Sequence, residues 1–582
     1  MHEVKRATPT RLRANHPGAR EQILALGGAF LASVVAVWWS WTHDAFLLYG
    51  DAEAHIHIAR RLFDSHRPGI TQLGSVWLPL PHLLLAPFLL VDSWWRSGFA
   101  PVIPGAICYL LSCLGLYRLM RNWLSTEASA IGLTLFACNP NLLYLQTTAM
   151  TEPLFLCELI WSVLFLVEWY RELDREDGRP DGRSRRLMWA VFAVLAAGVY
   201  TRYDGWILAF LAWLAMAACM ARRGRLFRAN FILASVVLLL VPVGWMAYNA
   251  VVFGDWLDFM RGPYSARAIE LRTSTSAVNP HPGWHNPWVS LVYFAKASEL
   301  DAAARGWGEP VFLAAVIGTG WAWLKNGKKS SGANVGAVAV NHRETSRAWT
   351  LTLLLWLPLP FYAYSVSYGS VPIFLPVWKP FSWYNTRYGM EMLPAFAFFF
   401  AFAVDAALAW AERFRKNSRS VMTAVLFFLL AVNVALMLRE QPLTYVEAKK
   451  NTAARGFYNT VLAAALRQLH AADPQAVVLM NTSMFPSVVP NAGLTYRQTI
   501  NESDKEFYWA ALGAPAAHAS IVLAFAGDDI DKAVKAHPEH LRVFQRFHSP
   551  SKGWDQLDAT LYVADTFPLA DLPSPATAAI TR

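Results

Sequence analysis

Runs of about 20 apolar residues alternate with short polar clusters along most of the chain, the spacing that a hydrocarbon core about 30 Å thick imposes on helices crossing it. They lie at 23–41, 101–119, 128–147, 153–170, 187–203, 206–221, 230–253, 309–325, 349–366, 390–411 and 421–438, with a proline-broken candidate at 76–93. The pattern predicts an all-α polytopic membrane protein with about 11–13 transmembrane helices. After 439 it changes. QAVVLMN (475–481), ASIVLAFA (519–526) and ATLYVAD (559–565) read as strands alternating with helical stretches at 452–471 and 529–536. Residues 440–582 are therefore expected to form a small C-terminal α/β extracytoplasmic domain.

Lys and Arg set the expected orientation, because basic clusters stay on the cytoplasmic side. Clusters at 171–186, 222–228, 325–347 and 412–419 are separated by pairs of spans, and the N-terminus carries Lys5, Arg6, Arg11, Arg13 and Arg20. Residues 1–22 are thus expected as a cytoplasmic tail before a membrane domain at 23–439, and the absence of a small-residue cleavage site argues for an uncleaved first span. The connections at 42–75, 148–153, 201–205, 254–308 and 367–389 then face outward with the C-terminal domain. A full crossing by 76–93 would give an odd number of spans before the basic 171–186 loop. VWLPLPHLLLAPFLLV, with Pro79, Pro81 and Pro87, accordingly reads as an interfacial or re-entrant helix. The long 254–308 connection has the length of a lid or binding element, and KNGKKSSGANVGAVAVNHRETSR that of a flexible linker.

Composition agrees: 55% hydrophobic against 16% charged residues places the 582-residue chain in a bilayer, with 26 Trp and 20 Tyr available for its interfaces. The net charge of +10 sits in short clusters between apolar runs, which membrane topology explains and nucleic-acid binding does not. All five cysteines (Cys108, Cys113, Cys138, Cys157 and Cys219) fall in apolar segments, so neither a disulfide framework nor a thiolate zinc site is implied.

Four polar islands interrupt this pattern. In YGDAEAHIHIAR (49–60), helical spacing puts Ala52, Ile56, Ala59 and Phe63 on one stripe and makes Asp51 with His55, and Glu53 with His57, i, i+4 neighbours. The segment reads as a helix lying flat on the outer face, its acids and imidazoles shown to water or substrate, or simply as a solvated face with local Asp–His hydrogen bonds. TTAMTEPLFL sets Glu152 in an apolar stretch, either as an acid costly to bury or as a first-turn residue after a Thr151 cap. VYTRYDGWIL holds Arg202 and Asp204, which have the option of pairing with each other, between two spans. PFSWYNTRYGMEMLP brings Tyr384, Arg387, Tyr388 and Glu391 to the start of a span, where an interfacial arginine with aromatic anchors is the plain alternative. The expected topology gathers all four on one side. A carboxylate suits deprotonation of an acceptor hydroxyl or amine, or the holding of a divalent cation, and arginine suits a departing phosphate.

These residues give the chain a resemblance to the GT-C superfamily of polytopic glycosyltransferases, in particular to bacterial members of the protein mannosyltransferase and aminoarabinose transferase branch. The likeness covers roughly 23–411 and rests on Gly50-Asp51-Ala52-Glu53, Thr151-Glu152-Pro153, Thr201-Arg202-Tyr203 and Thr386-Arg387-Tyr388 followed by Pro394. It implies a multi-pass protein of the bacterial inner membrane that transfers a sugar, with inversion, from a polyprenyl-phosphate-linked donor to a lipid, glycan or protein acceptor at the outer face. By the same resemblance Asp51 is the base, Glu53 its helper and Glu152 the second acid. Arg387 contacts the donor phosphate, with Arg202 a looser match; the polar islands themselves add Asp204, Tyr384, Tyr388 and His55 as expected substrate-binding residues. A divalent metal, Mg or Mn, held by Asp51 and Glu152, assists some branches and is absent from others. The Lys-Pro-Pro signature of the aminoarabinose branch is missing, SVWLPLPHLLL standing in its place. Two other classes fit the same residues less well: a flippase of lipid-linked sugars, which would carry charges at mid-membrane and internal repeats, and a non-catalytic envelope scaffold. GDDID (527–531) resembles a metal loop, but an Asp-capped helix start is the simpler reading.

Overall fold

The computed structural model describes residues 17–175, 182–273, 281–327, 348–415, 417–483, 485–550 and 557–568. The basic residues Lys5, Arg6, Arg11 and Arg13 and most of the expected linker at 325–347 lie outside them. Among the described residues, eight helical segments are long and apolar enough to cross a membrane: Ala19–Thr42, Val102–Met120, Glu152–Leu173, Asp204–Arg222, Ala229–Phe253, Ala348–Tyr368, Thr386–Glu412 and a run opening with the helix Ser418–Glu440. The protein is a helical multi-pass membrane protein, with fewer such spans than the about 11–13 the apolar runs predict.

The difference has local causes. The run 128–147 is cut in two, because Asn139 caps a second helix by accepting bonds from the Asn141 and Leu142 amides at 2.9 and 3.2 Å, and Pro140 opens it. Thr126–Ala137 and Pro140–Leu145 are each too short to span. Gly182–Thr201 and Gly308–Gly327 have the length, 20 residues each, but not the apolar content. The proline-rich 76–93 becomes a short helix, Pro79–Leu85, running into the 3-10 turn Ala86–Leu90, well under the length of a crossing.

Small residues let the helices approach, as membrane interfaces require. The buried helix Leu393–Glu412 lies between Thr126–Ala137 and Gly308–Gly327. A Cβ on Gly132 would stand 2.8 Å from the Ala397 carbonyl oxygen, and one on Gly318 only 1.9 Å from that of Phe399.

The polar C-terminal region folds as expected around a sheet. Its strands are β1 (Val478–Met480), β2 (Thr499–Ile500), β3 (Ile521–Phe525), β4 (Leu541–Phe547) and β5 (Ala559–Ala564), in the order β2-β1-β3-β5-β4. β1 pairs in parallel with β2 and β3, while β5 runs antiparallel to β3 and β4. The two strands the sequence does not announce are β2, only two residues long, and β4, whose LRVFQRF mixes charges into both faces because it lies at an edge. The helix expected at 452–471 starts nine residues earlier: Leu443–Phe457 continues through a π turn at Tyr458–Leu462 into Ala463–Ala472. That early start carries Glu447 and Asn451 against the membrane bundle.

Candidate functional site

The segment Gly50–Arg61 is helical, and Ala52, Ile56 and Ala59 are buried along one stripe as the spacing predicts. Its polar residues are not displayed to water. Asp51 and Glu53 are two positions apart, so on a helix they point to roughly opposite sides. Asp51 reaches Arg387; Glu53 is buried and pairs instead with Arg455 and the Ser487 hydroxyl of the C-terminal domain. Burial raises the Glu53 pKa against the pull of Arg455. His55 is buried too, within a 2.9 Å hydrogen bond of His82 and beside the Trp77 ring, and His57 accepts a 3.2 Å bond from the Trp95 indole. Neither imidazole pairs with an acid of its own helix. Burial and nearby guanidinium groups push both down to about 3.

The C-terminal domain fastens this helix in place. Asn451 Oδ1 accepts from the Gly50 amide at 2.7 Å, Arg455 donates to the Leu48 carbonyl at 3.0 Å, and Tyr49 donates to the Thr444 carbonyl at 2.7 Å.

Arg387 and Glu391 stand one turn apart in the 3-10 helix Thr386–Met392, which starts after Asn385 with φ 55°. Asn is among the few side chains that take this left-handed conformation readily. The Arg387 guanidinium turns a different nitrogen to each of three acids: Nη2 to Asp51 at 2.5 Å, Nε to Glu152 at 3.2 Å and Nη1 to Glu447 at 3.0 Å. Arg202 does the same with Glu391 at 2.9 Å, Asp204 at 3.3 Å and Glu152 at 3.6 Å. It also donates to the hydroxyls of Thr151 (2.8 Å) and Tyr362 (2.7 Å), and Tyr362 in turn donates to Glu391 at 2.7 Å. Glu152 therefore bridges two guanidinium groups. The Tyr388 ring receives both cations, Arg387 at 5.0 Å and Arg202 at 5.3 Å from its centroid.

All four polar islands thus meet, two of them in full, through Asp51, Glu152, Arg202, Asp204, Arg387, Tyr388 and Glu391. Glu53 pairs elsewhere, whereas His55 and Tyr384 make no hydrogen bond to the arginines but stand within their electrostatic reach, His55 of Arg202 and Arg387, Tyr384 of Arg387 and Asp51. The apolar setting makes uncompensated carboxylates expensive. Five of them face two guanidinium groups, and four are sealed in, with side-chain exposures of 0–5%. Asp51 differs: its side chain is 46% exposed, which leaves it the one acid of the cluster open to an incoming molecule. The Arg202–Asp204 pairing and the first-turn position of Glu152 also hold, so the plain structural roles and the clustering coexist.

Sequence reasoning passes over Glu447, Tyr362 and Tyr49. Glu447 lies where the chain leaves its last span and carries no motif; Tyr362 looks like one more aromatic of an apolar run. Asp301, buried on Pro287–Ala302, adds another carboxyl group nearby, its pKa raised by burial and by Glu447 and Glu152. The GDDID segment is a helix start, Asp528 accepting from the Asp531 amide at 2.7 Å.

For a divalent cation the fit is poor. Among the described residues no group of three or more His, Cys, Asp or Glu is disposed to hold a metal ion, and Asp51 and Glu152 share the Arg387 guanidinium as their counter-ion.

The fold and this cluster define a multi-pass membrane protein with a buried arginine–carboxylate site roofed by an α/β domain. Residues 79–248, which include Glu152, Arg202 and Asp204, match the family model described as dolichyl-phosphate-mannose-protein mannosyltransferase; this match supports the GT-C resemblance over that stretch. Among solved structures, ArnT from Cupriavidus metallidurans bound to undecaprenyl phosphate is similar at 13% identity and a TM-score of 0.48, over 94% of this chain and 98% of that one. An oligosaccharyltransferase from Archaeoglobus fulgidus is similar at 13% identity and a TM-score of 0.41, over 87% of this chain and 69% of that one. No curated protein matches the chain.

Proposed function

We propose that the protein is a membrane glycosyltransferase that moves a sugar from a polyprenyl-phosphate carrier to a hydroxyl or amine acceptor on a lipid, glycan or protein. The observation that carries the reading is the contact between Arg387 Nη2 and the half-exposed Asp51, which sets a base beside an anion receptor. A donor phosphate entering at Nη2 takes the place of the Asp51 carboxylate, because the other two faces of the guanidinium are held by buried acids. A charge-assisted hydrogen bond from the permanently charged guanidinium suits that phosphate. Asp51, released from its counter-ion, accepts the acceptor's proton as the acceptor oxygen or nitrogen bonds to the anomeric carbon. The bond from that carbon to the phosphate oxygen breaks, the electron pair leaves with the phosphate, and the anomeric centre inverts. Glu152, Arg202 and Tyr388 hold the arginine in place. The family-model match over 79–248 supports the class and the lipid-phosphate sugar donor. By the basic clusters of the sequence the site opens on the non-cytoplasmic face, and the resemblance implies that the membrane is a bacterial inner membrane.

The test is incubation of the purified protein, in proteoliposomes, with radiolabelled polyprenyl-phosphate sugars and extracted envelope acceptors. The reading expects label in an acceptor and free polyprenyl phosphate in equal amount. Movement of intact lipid-linked sugar across the bilayer, without cleavage, would mark a flippase and overturn it.

A further inference from the structure

We infer that Glu447, brought to the membrane bundle by the first helix of the C-terminal domain, is a positioning residue that aims Arg387 at the donor phosphate. This rests on the transferase reading above. Glu447 is buried, and both of its oxygens are committed. Oε1 pairs with Arg387 Nη1 at 3.0 Å, while Oε2 accepts from the Thr386 hydroxyl at 2.5 Å, the Arg387 amide at 3.2 Å and the Tyr49 hydroxyl at 3.3 Å. One carboxylate therefore grips the main chain and the side chain of Arg387 together, and through Tyr49 it also ties in the turn that presents Asp51.

The geometry has a directional consequence. A guanidinium on a flexible stem samples many orientations; with Nη1 hydrogen-bonded to Glu447 and Nε turned to the buried Glu152 carboxylate at 3.2 Å, Nη2 is the nitrogen that points to the exposed acid. The anchor is itself anchored. Thr444, one turn earlier on the same helix, donates from its amide and its hydroxyl to Asn141 Oδ1 at 3.0 Å each, and Asn451, one turn later, receives the Gly50 amide at 2.7 Å. Preorganisation of this kind acts in the transition state, where charge develops on the leaving phosphate oxygen, more than in ground-state binding. Removing the Glu447 charge also removes a competitor for Arg387, so donor binding is not expected to weaken.

The test is the isosteric substitution Glu447→Gln, whose one carbonyl oxygen keeps an acceptor for Thr386 and the Arg387 amide while the Nη1 partner is lost, assayed for kcat, donor KM and thermal midpoint beside wild type. A positioning role predicts kcat lowered about tenfold and donor KM unchanged or lower at temperatures well below the midpoint, which itself falls because Arg387 Nη1 loses its carboxylate partner. Unchanged kcat at those temperatures, or a kcat lost only on approach to the midpoint, overturns the assignment while wild-type turnover keeps the transferase reading standing. A wild-type protein that transfers no sugar refutes that reading and this assignment with it.

Discussion

Arg387 Nη2 and Asp51 Oδ2 stand 2.5 Å apart across 336 positions of sequence. The contact joins the first polar connection of the chain to the start of one of its last spans, and it is the exposed member of a web in which the other acids are sealed. Of the two, Asp51 is the side chain open to solvent, at 46% exposure against 6% for Arg387.

Arg387 is irreplaceable on this account because it satisfies three acids with three nitrogens. Lysine offers one compact charge and no planar fork, so Arg387→Lys leaves buried carboxylates without partners. Breaking buried pairs of this kind costs about 3–5 kcal/mol. Arg387→Lys is therefore expected to lose transfer by about 100-fold or more and to lower the thermal midpoint, both read on the same preparation; retention of both would remove the arginine from the centre of the site.

Tyr362 is expected to act through one oxygen atom. Its ring stacks on Phe294 and Tyr388 at 4.5 and 5.1 Å, and its hydroxyl joins Arg202 to Glu391. Tyr362→Phe keeps the ring and takes one of two donors from the buried Glu391 carboxylate, Arg202 remaining as its partner, a loss of about 1–3 kcal/mol. Thermal unfolding in detergent should show it, with transfer reduced but present; a midpoint equal to wild type would mean that the hydroxyl carries no weight.

The helices of the membrane domain are legible because bilayer thickness writes itself into run length, and the four polar islands because charges in apolar surroundings are conspicuous. What failed to show was pairing across the chain. Asp51 and Glu53 look equivalent in YGDAEAHIH, yet a two-residue step on a helix sends one to Arg387 and the other to Arg455. His55 and His57 read as surface groups, but the neighbours that bury them, His82 and Trp95, come from segments the spacing does not connect. Glu447 was invisible for a similar reason: the amphipathic helix bearing it begins before its hydrophobic periodicity does. The break at Asn139-Pro140 was written in capping chemistry, inside a run that hydropathy alone reads as continuous.

His57 gives the protein an acid-sensitive joint between Gly50–Arg61 and its surroundings. Above pH 6.5 the ring is neutral in the folded and the unfolded chain, and its contribution is fully present. Below that, the unfolded chain binds a proton that the folded one refuses until about pH 3, so stability is lost progressively across the window. The slope is about 1.4 kcal/mol per pH unit. Thermal midpoints at pH 7 and pH 4.5 should therefore differ less in His57→Gln than in wild type, and equal differences would deny the histidine this role.

Close helix packing makes a sharper test of the fold. An added methyl at Gly318 meets the Phe399 backbone oxygen, which has nowhere to go, whereas Gly320 on the same helix has open space around it. Gly318→Ala should cost about 1–3 kcal/mol as an overpacked contact and lower the thermal midpoint, while Gly320→Ala should leave it in place. Equal midpoints for the two variants would contradict the packing of Gly308–Gly327 against Leu393–Glu412.

The central claim, that Asp51 is the base working beside Arg387, is tested most directly by the rate of label transfer from a radiolabelled polyprenyl-phosphate sugar with Asp51→Asn. General bases contribute about 100- to 10,000-fold, and the amide keeps the shape of the side chain while losing the proton acceptor. The account predicts a fall in kcat of that size, in a protein that inserts and melts like wild type. Transfer by Asp51→Asn at the wild-type rate would contradict it.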